Sequence, residues 1–302
     1  MRADVDETLA RLQRDHDRDP DGAAVALRAI PAAAVPREQM SRYTFLLNHV
    51  LGEKLGAWDE VQAIYRATIG NLEGLALPAL RNLAAAAALS GDRDAARKAT
   101  ACLGHAAGLD ESQAALVVDM AKIMYGAHER ADEFTRLCGI AMGWDEATEA
   151  DSLVASMANN IVSAWLEMPA LAWRSPAVAR AMEEGARASR HFWFKAGTWV
   201  QKERADYLVA MTMNRLGKHD AARAHCLAAI AAIEDGGNQD VDLAFIALEL
   251  AFAEDRLGND TAAGAARARA QALASAFDDE ALRQWFADTD AKLRALADGI
   301  TA

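Results

Sequence analysis

Four residues near the N-terminus have the types and the spacing of the first half of a calcium-binding loop. Asp17, Asp19 and Asp21 alternate with other residues and are followed by Gly22, and oxygen ligands at alternate loop positions converge on one cation. The twelfth position, which should supply a bidentate Glu, is Arg28. Because the positively charged Arg28 stands where the carboxylate that completes such a site should be, we predict a polar turn in which Asp19 or Asp21 caps the next helix.

Other patterns typical of catalysis or ligand binding are missing from the sequence. It contains no complete phosphate-binding loop, no GxSxG nucleophile turn, no CxxC pair and no helix with two histidines at metal-ligand spacing. The histidines are scattered singly, at His16, His49, His105, His128, His191, His219 and His225. We therefore predict that the protein is not an enzyme, and that it has no catalytic residue, no cofactor and no metal.

A tryptophan-rich, locally basic region is the main candidate for binding. Five of the seven tryptophans are Trp144, Trp165, Trp173, Trp193 and Trp199, and the cations Arg187, Arg190, Lys195, Lys202 and Arg204 surround the single acid Glu203. Aromatic faces and cations together suit an acidic or carboxylate-bearing partner. The alternative is that the rings fill an irregular hairpin and the cations form a solvated face.

Helices must position these residues. Apolar residues recur with helical spacing, strand-like alternation is absent, and alanine supplies much of the 52% hydrophobic content. Similar turns separate pairs of helical patterns at Gly56, Gly91, Gly126, Gly217 and Gly258, and the first three of these glycines are 35 residues apart. A fixed period of this size is typical of stacked helical hairpins.

The repeated unit resembles the tetratricopeptide repeat, a helix–turn–helix of about 34 residues. The small or medium-sized residues five positions after the turn glycines are Val61, Ala96, Ala131, Ala222 and Ala263, and an aromatic, Tyr65, follows Gly56 by nine. The resemblance implies an all-α, right-handed solenoid of stacked hairpins with about fifteen helices. It also implies a scaffold that binds proteins or peptides on its concave face.

We interpret residues 1–302 as a single repeat domain. Its predicted parts are an N-terminal helical hairpin at 1–37, three regular repeats at 38–142, an atypical tryptophan-rich hairpin at 143–197, two regular repeats at 198–275 and a capping helix at 276–302.

Candidate partner-binding residues come from the basic segment and from the helices that line the groove in this family. They are Trp193, Lys195, Trp199, Lys202, Arg204, Tyr207, Met211, Arg215, Tyr43, Arg81, Met120, Phe245 and Phe252. Methionine and aromatic side chains adapt to an apolar peptide. Residues of a first helix also pack against the neighbouring repeat, so core packing is the alternative for each groove residue.

The predicted function is a non-enzymatic scaffold, adaptor or chaperone that binds a protein or peptide segment. The alternative is a regulatory sensor that binds a small molecule or signalling peptide and acts on a separate effector chain. A net charge of −12 argues against nucleic acid and anionic membranes as partners. Three cysteines within helical patterns, a charged N-terminal segment and the absence of a long apolar run predict a cytoplasmic protein. The amino-acid usage suggests a GC-rich bacterium.

Overall fold

The computed structural model describes residues 2–31, 34–126, 129–237 and 240–297, and over these residues the protein is helical without β-strands. It has fifteen α-helices there, which confirms the predicted all-α class and helix number. The helices are α1 Arg2–Asp15, α2 Pro20–Ala29, α3 Met40–Leu46, α4 Trp58–Thr68, α5 Leu77–Leu89, α6 Arg93–Ala107, α7 Glu111–Gly126, α8 Ala131–Ala141, α9 Asp151–Leu166, α10 Pro176–Ala196, α11 Trp199–Arg215, α12 His219–Gly236, α13 Asp240–Arg256, α14 Asp260–Ala274 and α15 Glu280–Ala297.

Two kinds of irregular helix accompany them. The chain continues from α3 as a π-helix, Leu47–Lys54, in which the backbone is wound more widely than in an α-helix. Short 3-10 turns, Arg37–Gln39 and Ala172–Arg174, precede α3 and α10.

The helices are divided between two compact units. Unit 1 consists of residues 1–130 and 148–153, and unit 2 consists of residues 131–147 and 154–302. The single repeat domain inferred from the sequence, with its internal borders, stays a prediction.

Left-handed glycines close four of the five recurring turns. Gly56, Gly91, Gly217 and Gly258 have φ between 68° and 79°, a conformation that costs a residue with a Cβ more than it costs glycine. After Gly217 the chain turns back sharply, and the Lys218 N–H donates to the Met213 carbonyl at 2.8 Å. These turns end one helix and direct the chain into the next.

A buried polar network lies in the core of unit 1. The Asn48 side chain donates to the Asn82 carbonyl at 2.8 Å, and the Asn82 side chain donates to Thr44 Oγ1 at 3.0 Å. The hydroxyls of Tyr65 and Tyr125 donate to the side-chain oxygens of Asn48 and Asn82, at 2.6 and 2.9 Å. The network connects α3 and its π-helical continuation with α4, α5 and α7.

Two apolar clusters form much of the core of unit 2. One joins α13 to α14 and α15 through residues such as Phe245, Leu248 and Phe286. The other joins α11, α12 and α13 through residues such as Ile233 and Ile246. Because helices on both sides of α13 bury apolar side chains, α13 carries few exposed residues.

Candidate functional site

A cavity of 570 Å³ lies in unit 2, beside the turn that joins α11 to α12. We call it the cationic cavity. Its lining comes from the loop before α10, from α10, α11, α13 and α15, from the turn itself and from the first residue of α12. Its cations are Arg174, Arg180, Arg215, Lys218 and Arg256, and the larger apolar side chains of its wall are Trp173, Leu216, Phe252 and Leu296.

Positive charge predominates around this cavity. Of the fifteen described residues that line it, five are Arg or Lys and one, Glu183, is acidic. The whole chain has the opposite balance, with a net charge of −12. A concave surface that combines apolar walls with a few charged groups is the usual form of a ligand-binding site.

Arg215 forms a buried ion pair with Glu249. Nη1 lies 2.9 Å from Oε2 and Nη2 lies 2.6 Å from Oε1, and the two side chains are only 8% and 1% exposed. Burial opposes the charged guanidinium, but Glu249 outweighs it and raises the pKa of Arg215 above its ordinary value. Arg215 Nε is also buried, and it has no hydrogen-bond acceptor among the described residues. Arg215 is therefore an immobile member of the wall whose charge is compensated by Glu249.

Two cations share the single acid of the lining. Lys218 Nζ lies 2.5 Å from Glu183 Oε2, and Arg187 Nη2 lies 2.6 Å from Glu183 Oε1. One carboxylate cannot neutralise both, so this edge of the cavity retains positive charge.

The remaining three cations are exposed. Arg180 lies 3.5 Å from Asp132, and both side chains are more than half exposed, so this pair contributes little. Arg256 donates to the backbone carbonyl of Ala297 at 3.0 Å, and the described part of the chain gives Arg174 no ion pair. These guanidinium groups can turn toward an incoming carboxylate at low cost.

His219 is the side chain of the cavity lining whose ordinary pKa lies nearest to neutral pH. Its Nδ1 lies 3.2 Å from Asn214 Oδ1, and its ring meets Phe252 edge-on at 5.7 Å. Burial, followed by the neighbouring Arg256, lowers the pKa of His219. The ring is therefore uncharged at neutral pH, and it gains a charge when the solution becomes acidic.

Four of the thirteen candidate partner-binding residues line cavities of unit 2. Arg215 and Phe252 belong to the cationic cavity. Trp199 and Lys202 line another cavity, of 370 Å³, beside α12. The two pairs lie in different cavities, so these four residues do not form one site.

The cations of the basic segment are largely paired with acids of unit 2. Arg187 pairs with Glu183, Arg190 with Asp206 and Arg204 with Asp242, at 2.6, 2.6 and 2.9 Å. Lys195 donates to the Trp144 carbonyl at 2.8 Å, and Lys202 lies over the Phe194 ring at 5.8 Å. The local excess of positive charge in the sequence is thus compensated by acids from outside the segment.

The tryptophans around this segment serve packing to different degrees. Trp144, Trp165 and Trp173 are buried, and Trp173 Nε1 donates to the Trp165 carbonyl at 2.7 Å. Trp193 and Trp199 are half-buried.

The other candidates differ in accessibility. Tyr207 and Met211 are half-buried, and Tyr207 packs against both apolar clusters of unit 2. Its pKa is well above the ordinary value because of burial, with Glu249 adding to the effect. Tyr43, Arg81, Met120 and Phe245 are buried in their units, and the Arg81 guanidinium donates to Asn82 Oδ1.

Sequence reasoning did not identify Arg174, Arg180 or Lys218 as site residues. Arg174 and Arg180 lie on either side of Pro176, and Lys218 follows the turn glycine Gly217. Their positions next to interhelical connections were a usable signal, because side chains at the ends of neighbouring helices often converge on one end of a helical stack.

Glu203 is a fully buried acid in α11. Burial raises its pKa to about 8, and the neighbouring carboxylate of Asp242 adds to this effect, whereas Arg204 opposes it. Glu203 therefore keeps its proton at neutral pH. Its place in α11 is structural, since no cavity described above includes it.

The aspartate-rich turn before α2 forms a helix cap. Asp19 Oδ1 accepts the backbone N–H of Gly22 at 2.9 Å, and Asp19 is the N-cap residue of α2. Arg28 pairs with Glu60 at 2.7 Å. The predicted cap at Asp19 is confirmed.

Comparison of the chain with protein-family models, with curated proteins and with solved structures finds no significant match. None of the helices in the described ranges combines the length and the apolar character that crossing a bilayer requires.

Proposed function

We propose that this protein is a non-enzymatic, tetratricopeptide-like scaffold, an adaptor or chaperone that binds an acidic segment of a partner protein. In the proposed arrangement, helical hairpins stack into a right-handed solenoid. The fifteen helices and the left-handed glycine turns support it. Small-angle X-ray scattering from an elongated particle would support this arrangement, and scattering from a spherical particle would contradict it.

The charge of the cationic cavity is the observation that carries the proposal. Five cations with apolar walls, in a chain of net charge −12, favour a partner that brings carboxylates and apolar side chains together. Charge-assisted hydrogen bonds between guanidinium and carboxylate groups are stronger than neutral ones. The partner segment would place a side-chain or C-terminal carboxylate near Arg174 and Arg180 and an apolar residue against the half-buried Leu216 and Leu296.

The cavity cations have different roles in this proposal. Arg215 is held in place by Glu249, which also compensates its charge, so it shapes the wall more than it attracts the partner. Arg174 and Arg180 are exposed and contact the partner directly. When binding buries such a charged contact, removing one of its two partners typically costs about 2–5 kcal/mol of binding free energy.

The test is binding of a fluorescein-labelled peptide in which Glu and Leu alternate, compared with the same peptide carrying Gln. Parent protein should bind the Glu peptide more tightly, and increasing salt should weaken the binding. Arg174→Ala combined with Arg180→Ala should lower the affinity by about tenfold or more.

Arg11→Ala combined with Arg14→Ala is the matched control, because it removes the same charge from exposed positions on α1. Its affinity should equal that of the parent. Equal weakening in both double variants would mean that net charge, and not the cavity, attracts the peptide. No preference for Glu over Gln would contradict the proposal itself.

The cavity volume favours one second candidate, the regulatory sensor. A volume of 570 Å³ lies within the range of about 300–1,000 Å³ that is common for small-molecule sites. In that case an aliphatic dicarboxylate alone should raise the melting temperature and displace the labelled peptide. Peptide binding without any effect of the dicarboxylate favours the scaffold.

A further inference from the structure

Two histidines and an aspartate that are separated in the sequence converge in unit 1. Asp17 directly follows His16 at the end of α1, whereas His49 lies in the π-helix. Asp17 Oδ1 lies 3.4 Å from His49 Nε2, and Asp17 Oδ2 lies 3.6 Å from His16 Nε2. One ligand atom from each residue lies within 4.8 Å of the other two.

The hydrogen bonds of the two rings define which nitrogen of each ring is open to a metal ion. His16 Nδ1 lies 2.8 Å from the Leu12 carbonyl, and His49 Nδ1 lies 2.6 Å from Glu53 Oε2. Both oxygens can only accept, so each Nδ1 carries a proton, and Nε2 is the nitrogen that can offer a lone pair to a metal. Metal-binding histidines commonly have this arrangement, with the second nitrogen donating to a carbonyl or carboxylate.

Asp17 already has positively polarised neighbours in the metal-free protein. Its Oδ1 lies 3.4 Å from His49 Nε2 and 2.7 Å from Lys54 Nζ. A metal ion at this position would take the place of the proton on His49 Nε2, and both Nε2 atoms and the carboxylate would then face one cation.

The surroundings hold the rings in place. His16 is buried, the Phe45 ring stacks on His49 at 5.5 Å with an interplanar angle of 9°, and the two imidazoles meet edge-on at 5.0 Å. The π-helix carries both His49 and its partner Glu53, and π-helical segments are frequent at functional sites. A site with fixed ligands loses little entropy when an ion binds.

We propose that His16, Asp17 and His49 bind a divalent transition-metal ion, of which Zn²⁺ is the best match. Two imidazoles and one carboxylate are characteristic zinc ligands at about 2.0–2.1 Å, and in a tetrahedral arrangement such atoms lie about 3.3 Å apart. The separations of 3.4 Å from Oδ1 to His49 and 3.6 Å from Oδ2 to His16 are each close to this value, and rotation of the exposed carboxylate would let one oxygen serve as the ligand. Three protein ligands leave a fourth position for water, as in open zinc sites.

Lys54 is the built-in competitor for this site. Its Nζ lies 2.7 Å from Asp17 Oδ1, so a bound ion must share or displace it. The side chain of Asp17 is 66% exposed and can rotate toward the ion. Lys54→Met removes the competing cation and should therefore tighten metal binding.

The experiment is calorimetric titration of the metal-free protein with Zn²⁺, followed by visible absorption with Co²⁺. We expect one equivalent of Zn²⁺ and the cobalt absorption of a four-coordinate nitrogen–oxygen site. Asp17→Asn and His49→Gln should each weaken binding by about tenfold or more, since losing a ligand costs at least as much affinity as losing a group that only orients a ligand. Asp17→Asn changes an exposed side chain, so its fold should be preserved, as circular dichroism would verify.

Asp21→Asn is the matched control, because it neutralises an exposed aspartate four residues away. It should leave the affinity unchanged. Failure of the parent to bind one equivalent of Zn²⁺ would overturn the proposal, as would equal weakening by Asp21→Asn. A thiolate-to-cobalt band would place the ion on a cysteine and would also overturn it. These outcomes are independent of the peptide-binding proposal, which concerns unit 2.

Discussion

Trp199 lies directly against Gly236. A Cβ added to Gly236 would lie 2.4 Å from Trp199 Cδ2, and the three nearest atoms to that position all belong to this indole. The first residue of α11 thus packs on the last residue of α12. One part of the Trp199 ring is committed to packing, although the residue also lines the 370 Å³ cavity.

Gly236→Ala should therefore destabilise the protein. The added methyl would overpack the contact with Trp199, which typically costs about 1–3 kcal/mol. Gly264→Ala is the control, since a Cβ there meets no atom within 4 Å and alanine in a helix is about 0.5–1 kcal/mol better than glycine. Thermal unfolding should show a lower midpoint for Gly236→Ala and an unchanged or higher one for Gly264→Ala. A stable Gly236→Ala would mean that the indole moves away freely.

Because Arg215 and Glu249 form a buried ion pair, substitutions at the two positions should have strongly non-additive effects on the free energy of unfolding. Arg215→Met alone leaves Glu249 buried without its cation, which typically costs about 3–5 kcal/mol. Adding Glu249→Leu removes the unpaired charge and should recover most of that loss. Urea unfolding of the parent, both single variants and the double variant would measure the coupling. Additive costs would show that water or another group satisfies Glu249 once Arg215 is absent.

Glu203 predicts a fall in stability as the pH rises. Its folded pKa is about 8 against an ordinary value of 4.5, so between these values the unfolded chain releases a proton that the folded protein retains. The free energy of unfolding should then decrease from about pH 4.5 to about pH 8 and level off above, as far as this group determines it.

Glu203→Gln imitates the protonated acid and should remove this contribution, so that the variant exceeds the parent in stability above about pH 8. Glu146→Gln, at an exposed position between α8 and α9, serves as the control and should keep the parental slope. Identical slopes for the parent and Glu203→Gln would show that Glu203 ionises without penalty.

Replacing the alanines five positions after the turn glycines with leucine should lower the stability by different amounts. Ala222 is fully buried, whereas Ala96 is half-buried. Ala222→Leu should overpack the start of α12 and lower stability by about 1–3 kcal/mol, and Ala96→Leu should cost less. Chemical unfolding of both variants tests the order. The reverse order would mean that α12 moves aside more easily than α6.

Local patterns predicted the helices well because helical periodicity and turn glycines are properties of neighbouring residues. Gly217, for example, lies at the turn between α11 and α12, as its position in the recurring pattern predicts. The π-helix Leu47–Lys54 was not predicted, since nothing in the spacing of its apolar residues distinguishes it from an α-helix.

The sites depend on contacts between distant residues, and the sequence could not supply them. Within the sequence of the basic segment its five cations have a single acid among them, Glu203, because Asp242, the partner of Arg204, lies 38 residues further along the chain. His16 and His49 looked isolated for the same reason. The cationic cavity draws on five helices, the loop before α10 and the turn after α11, and no local pattern shows that these segments meet.

The polar network of unit 1 also limits how its helices can slide. The run of alanines at 84–88 in α5 presents a smooth surface on which a neighbouring helix could settle one turn too high or too low at little cost in apolar contact. Such a shift would leave the amides of Asn48 and Asn82 buried without partners, which costs about 1–3 kcal/mol for each group. These two asparagines thus act as a register key, and they discriminate against mispaired helices during folding as well as stabilising the native ones.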